Sequence, residues 1–90
     1  MRETIYKYPL EIKDEQIVLL PTGAKILTVQ AQMDKPCIWA LVNPTAPNDM
    51  AITIRIFGTG HPIQDSDNLE YIGTFQIYGG RLVFHAFVQR

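Results

Sequence analysis

Ninety residues suffice for one compact domain and are too few for two, so residues 1–90 are expected to form a single unit around one core. A composition of 47% hydrophobic and 19% charged residues, with a net charge of −1, supplies no basic stripe to attract a nucleic-acid backbone. Cys37 is the only cysteine, which excludes an internal disulfide, and no apolar run reaches the ~18 residues of a membrane-spanning helix.

In chain order, short runs of β-branched and aromatic residues alternate with Pro, Gly, Asn and Asp. That punctuation predicts an all-β fold, a small antiparallel sandwich or partly closed barrel of six to eight short strands. Thr4 to Tyr8 is closed by Pro9 and suits an edge strand, because proline cannot donate to a ladder. Gln16 to Leu20 follows, ended by Pro21-Thr22-Gly23. From Lys25 to Met33, Leu27, Val29 and Ala31 share one face while Thr28, Gln30 and Gln32 share the other. Asp34-Lys35-Pro36 is expected to turn the chain into Cys37–Asn43, which carries the only tryptophan, Trp39. In Met50–Phe57, Ile52, Ile54 and Ile56 face one way and Thr53 and Arg55 the other.

A loop from Gly58 to Glu70, with room for one helical turn near Ile63–Leu69, leads to the last two strands. Tyr71–Tyr78 and Arg81–Gln89 flank Gly79-Gly80, predicted to be a tight two-residue hairpin turn. The implied register sets Ile77 across from Leu82, Phe75 from Phe84 and Gly73 from Ala86 on one face. On the other it sets Thr74 across from His85 and Ile72 from Phe87. The final strand is apolar on both faces, which calls for cover on both. Either the domain covers both itself, or a second copy covers one, with Trp39, Val83 and Phe87 as interface candidates. Self-association is expected.

The segment with most chemical potential is Gly58-Thr59-Gly60-His61. Its glycines allow close backbone approach and successive amides can face an anion, with His61 and Arg55 adding side-chain hydrogen bonds. Gly58, Thr59, Gly60, His61 and Arg55 are therefore the candidate ligand-binding residues. A plain tight turn is the competing explanation, since neither the P-loop nor the dinucleotide fingerprint is present. His61, Asp65 and Asp67 are the candidates for a small hydrolase or a metal site, but as solvated loop residues at no familiar ligand spacing they argue for neither. No catalytic residue, metal or cofactor is assigned. Trp39 and the tyrosines can stack on bases, yet without basic neighbours nucleic acid is disfavoured.

The chain resembles a family of small all-β proteins found in bacteriophages and prophage-bearing bacteria. The resemblance rests on Ile5-Tyr6-Lys7-Tyr8-Pro9-Leu10, Leu20-Pro21-Thr22-Gly23-Ala24, Cys37-Ile38-Trp39-Ala40-Leu41-Val42 and Ile54-Arg55-Ile56-Phe57-Gly58-Thr59-Gly60-His61-Pro62. Gly73-Thr74-Phe75-Gln76 and Val83-Phe84-His85 also fit. It implies an origin, without an activity. On that origin, the expected function is non-enzymatic binding that antagonises a host system, above all antiviral defence. The partner is then a host protein or a nucleotide-like small molecule, and a virion structural role is the alternative. The lone cysteine and an amino terminus without a signal-peptide pattern place the expected site of action in the host cytoplasm.

Overall fold

The computed structural model describes residues 2–90 and is all-β, two antiparallel sheets packed as a small sandwich without a closed barrel. The strands are β1 (Thr4–Pro9), β2 (Glu15–Leu20), β3 (Lys25–Gln32), β4 (Lys35–Val42), β5 (Met50–Gly58), β6 (Leu69–Ile77) and β7 (Leu82–Gln89). A single 3-10 turn at Ser66–Asn68 precedes β6, where the sequence leaves room for one. One sheet has the order β1-β4-β3 and the other β2-β5-β7-β6, so β1, β2, β3 and β6 are edge strands, with β3 and β6 packed against each other.

Period-two patterning builds the core. Val29, Ile38, Ile54, Ile56, Phe75, Ile77 and Ala86 face inward and, with Leu10 from the first crossover, form one buried cluster. The two sheets meet most extensively along β3 and β6. The contact there is tight because Gly73 has no side chain: a Cβ at that position would lie 2.6 Å from Val29 Cγ1. Partly buried against the core from the edge strand, the Tyr8 phenol is pushed above its ordinary range by desolvation, helped by neighbouring Tyr6.

Side chains guide the chain between sheets. The Gln16 amide accepts the Glu11 N–H at 3.0 Å and donates to the Glu11 carbonyl at 2.7 Å, standing in for a strand partner at the β1–β2 crossover. At the β2–β3 corner, Ala24 N–H donates to the Pro21 carbonyl at 3.0 Å, and Gly23 takes the positive φ of 84° that the turn requires.

The last hairpin has the expected pairs Ile77/Leu82, Phe75/Phe84, Gly73/Ala86 and Thr74/His85, and Phe75 stacks on Phe84 with centroids 5.5 Å apart. Four details differ from expectation. The hairpin closes through Tyr78-Gly79-Gly80-Arg81 rather than two glycines, because Tyr78 leaves the ladder with φ 53° and donates its N–H to Asp34 Oδ1 at 2.9 Å. A bulge between Tyr71 and Gly73 sets Tyr71, not Ile72, opposite Phe87. A second bulge between Ile26 and Thr28 expels Leu27 from the core face, leaving it 45% exposed. The β3–β4 turn is Met33-Asp34, with φ 52° and 66°, so Lys35 and Pro36 already belong to β4.

Candidate functional site

The outer face of the four-stranded sheet gathers most of the chemistry-bearing side chains. Alternation in β5 sends Ile52, Ile54 and Ile56 inward and Thr53, Arg55 and Phe57 outward; in β7, Val83, His85, Phe87 and Gln89 point the same way. Cross-strand register places Arg55 beside Phe87, Phe57 beside His85, and Tyr71 on the far side of Phe87. The three rings form an edge-to-face series: Phe57 to Phe87 at 5.7 Å and Tyr71 to Phe87 at 5.6 Å.

Arg55 is the anchored charge of this face. Its guanidinium lies 5.1 Å from the Phe57 ring centroid, Nε donates to the Asp14 carbonyl at 3.2 Å, and Nη1 donates to Gln89 Oε1 at 3.0 Å. Glu15 sits 3.8 Å away and balances part of the charge. These contacts fix the fork in one orientation while its remaining N–H groups stay available.

Over this face the loop after β5 encloses a cleft of about 370 Å³. Arg55, Phe57, Leu69 and Gln89 come from the sheet, Pro62, Gln64, Asp65 and Asn68 from the loop, and Arg90 from beyond β7. Arg90 is held by its side-chain ion pair to Glu70 and by its N–H on the Asn68 carbonyl at 2.8 Å. The volume falls within the range of small-molecule sites.

The loop is rooted by a tight turn. His61 N–H donates to the Gly58 carbonyl at 3.1 Å, Gly60 has φ 89°, and the Thr59 N–H donates to the Val83 carbonyl at 3.2 Å. The His61 ring folds over Gly58 so closely that a Cβ there would meet Cε1 at 2.9 Å. Two of the amides expected to face an anion are thus committed within the protein. Of the five ligand-binding candidates, Arg55 lines the cleft, while Gly58, Thr59, Gly60 and His61 form the root of its wall.

The turn is joined to the sheet by a hydrogen-bonded chain of side chains. Tyr71 OH bonds Thr74 Oγ1 at 2.6 Å, Thr74 Oγ1 bonds His85 Nδ1 at 2.9 Å, and His85 Nε2 bonds Thr59 Oγ1 at 2.7 Å. Which partner donates in each bond to the ring follows from the tautomer of His85. The Thr74–His85 half of this chain is legible in the hairpin register. Thr59 closes it from the other end of the loop, which sequence spacing does not show.

The interface candidates divide between two faces. Val83 and Phe87 lie on the outer face of the four-stranded sheet; Trp39 lies on the outer face of the other sheet, half-buried, with the Lys7 ammonium 5.9 Å from its ring. One flat patch therefore cannot contain all three. Among the described residues no group of three or more His, Cys, Asp or Glu is placed to hold a metal ion, so His61, Asp65 and Asp67 do not assemble such a site. Among the described residues no helix is long and apolar enough to cross a membrane.

The whole chain, residues 1–90, matches one family, described as Domain of unknown function (DUF7352). It belongs to the DUF7352 family. No curated protein and no solved structure matches it. Family membership therefore supplies no ligand, and the chemistry of the DUF7352 cleft is read from its own side chains.

Proposed function

We propose that this protein is a non-enzymatic binding protein whose cleft over Arg55 and Phe57 holds a small, planar, anionic molecule of nucleotide-like chemistry. The carrying observation is the guanidinium of Arg55, anchored on three sides at a cleft of about 370 Å³. A fixed planar fork offers a face for stacking and N–H groups for phosphate or carboxylate. Gln64, Asn68 and Gln89 add amides that both donate and accept, which suits the edges of a base. Arg90, paired with Glu70, adds a second guanidinium at the rim, and Asp65 lines the opposite, loop side. The resemblance to phage proteins supports a role in sequestering a signal used in host antiviral defence, within the host cytoplasm.

A second reading, docking on a host protein, is favoured by the hairpin tips. The Asp34–Tyr78 hydrogen bond brings Met33, 93% exposed, near Tyr78, 58% exposed.

Native mass spectrometry of the recombinant protein, repeated under denaturing conditions and with added nucleotides, separates the two. The expected result is a bound mass of a few hundred daltons that denaturation removes, with Arg55→Ala weakening binding at least about tenfold, the scale of a lost charge-assisted hydrogen bond. A folded Arg55→Ala protein that binds equally well overturns the cleft reading, as does failure of every nucleotide to bind.

A further inference from the structure

The edge strand β2 carries the features of a self-pairing surface. Ile56 N–H donates to the Asp14 carbonyl at 3.2 Å, one step before the first β2–β5 pair, Glu15/Arg55. In an antiparallel ladder the bonded positions alternate, so Gln16, Val18 and Leu20 turn their backbone groups to β5. Glu15, Ile17 and Leu19 turn theirs to the open side, where no strand pairs with β2.

Exposed edges are ordinarily protected by charges, prolines or bulges. β1, the edge of the other sheet that does not pack against β6, has Lys7 and Pro9. β2 has Glu15 at its start and Pro21 just past its end, and neither a charge nor a proline from Gln16 to Leu20; its ladder with β5 runs without a register shift, and Ile17 and Leu19 are 68% and 56% exposed. A regular edge whose centre is apolar and guarded only at its ends is a template for another strand.

We infer that a second copy of this chain occupies that edge, β2 pairing antiparallel with the partner's β2 about a two-fold axis at Ile17. Antiparallel partners share faces only when inward residues oppose inward ones, which restricts the possible registers. Centring on Ile17 sets Ile17 opposite its own copy and Glu15 opposite the partner's Leu19. All three outward-turned residues then find partners within the strand, for about six backbone hydrogen bonds. Pairing Ile17 with the partner's Leu19 instead brings Pro21, which has no N–H, opposite Glu15. Centring on Glu15 opposes two carboxylates.

The Ile17-centred register joins the two four-stranded sheets in the order β6-β7-β5-β2, then the partner's β2-β5-β7-β6. Both clefts then lie on the same broad face, with the partner's Leu19 beside the Glu15–Arg55 ion pair. The pairing is isologous, closes on itself, and leaves no copy of β2 open. It is independent of what the cleft binds.

Sedimentation velocity at about 100 µM tests it. The wild-type protein is expected to sediment as a dimer. Ile17→Lys, which opposes two ammonium groups at the axis, is expected to weaken the dimer at least about a hundredfold. Leu19→Lys places its charge opposite the partner's Glu15 and retains the dimer. Ile17→Cys is expected to be joined across the axis by a short bis-maleimide, since the opposed Cβ atoms of a hydrogen-bonded antiparallel pair, about 5.5 Å apart, are too distant for a relaxed disulfide and within reach of that linker. A monomeric wild-type protein overturns the inference, and so does a dimer that survives Ile17→Lys. A dimer whose Ile17→Cys variant is not joined by the bis-maleimide refutes the register, even where Ile17→Lys disturbs the fold.

Discussion

Gly73 and Gly58 each lie where an added methyl group would collide, yet the collisions differ in kind. At Gly73 the obstacle is Val29, buried in the opposite sheet, with its Cγ1 at 2.6 Å and its carbonyl oxygen at 3.2 Å from the position of a Cβ. Neither can move without shifting β3. At Gly58 the obstacle is the exposed ring of His61, free to swing into solvent. Gly73→Ala is therefore expected to destabilise the fold by about 1–3 kcal/mol, measured by urea unfolding, with Gly58→Ala well below it. Sequence alone shows Gly73 opposite Ala86, a pairing within one sheet. That Val29 of the other sheet fills the vacant space depends on how the sheets pack, which strand periodicity does not encode.

Among the elements, strand faces and most of the pairing of β6 with β7 are legible because period two and a glycine-rich hairpin constrain them strongly. The turns are less so. Asp34-Lys35-Pro36 has turn composition, yet the chain reverses one residue earlier, at Met33-Asp34, with both residues at positive φ, as a two-residue hairpin turn of type I′ requires. Methionine is poorly suited to that conformation and, at 93% exposure, packs against little in return. Met33→Asn is expected to raise stability by about 0.5–1 kcal/mol in thermal or urea unfolding, since asparagine tolerates the left-handed region at less cost. The cleft was only partly legible for a related reason. Arg55 is visible from its outward register on β5, whereas Pro62, Gln64, Asp65 and Asn68 reach it only when the loop folds back over the sheet.

At the scale of the whole molecule, the Cα trace measures 42 × 31 × 16 Å, so most residues lie near one broad surface or the other. Each sheet contains one hairpin of adjacent strands, β3–β4 or β6–β7, and completes itself with strands from farther along the chain. Local hairpins form early and long-range pairings late, because loop closure must precede distant contacts. The bond from Tyr78 N–H to Asp34 Oδ1 links the two hairpins across 44 residues of sequence. It can form only after both tips exist and the sheets have docked, so it belongs to the native side of the folding barrier. It acts as a latch against opening and gives no help in assembly. Asp34→Gly, which removes the acceptor and accepts the positive φ of 66° without strain, is expected to leave the refolding rate in stopped-flow experiments nearly unchanged and to accelerate unfolding roughly fivefold, the equivalent of one net hydrogen bond of about 1 kcal/mol. Asp34→Asn, which keeps an acceptor and tolerates the same backbone conformation, is expected to unfold at the wild-type rate. Such a latch makes the protein's persistence in the folded state a property of two exposed turns, separable from the strength of its core.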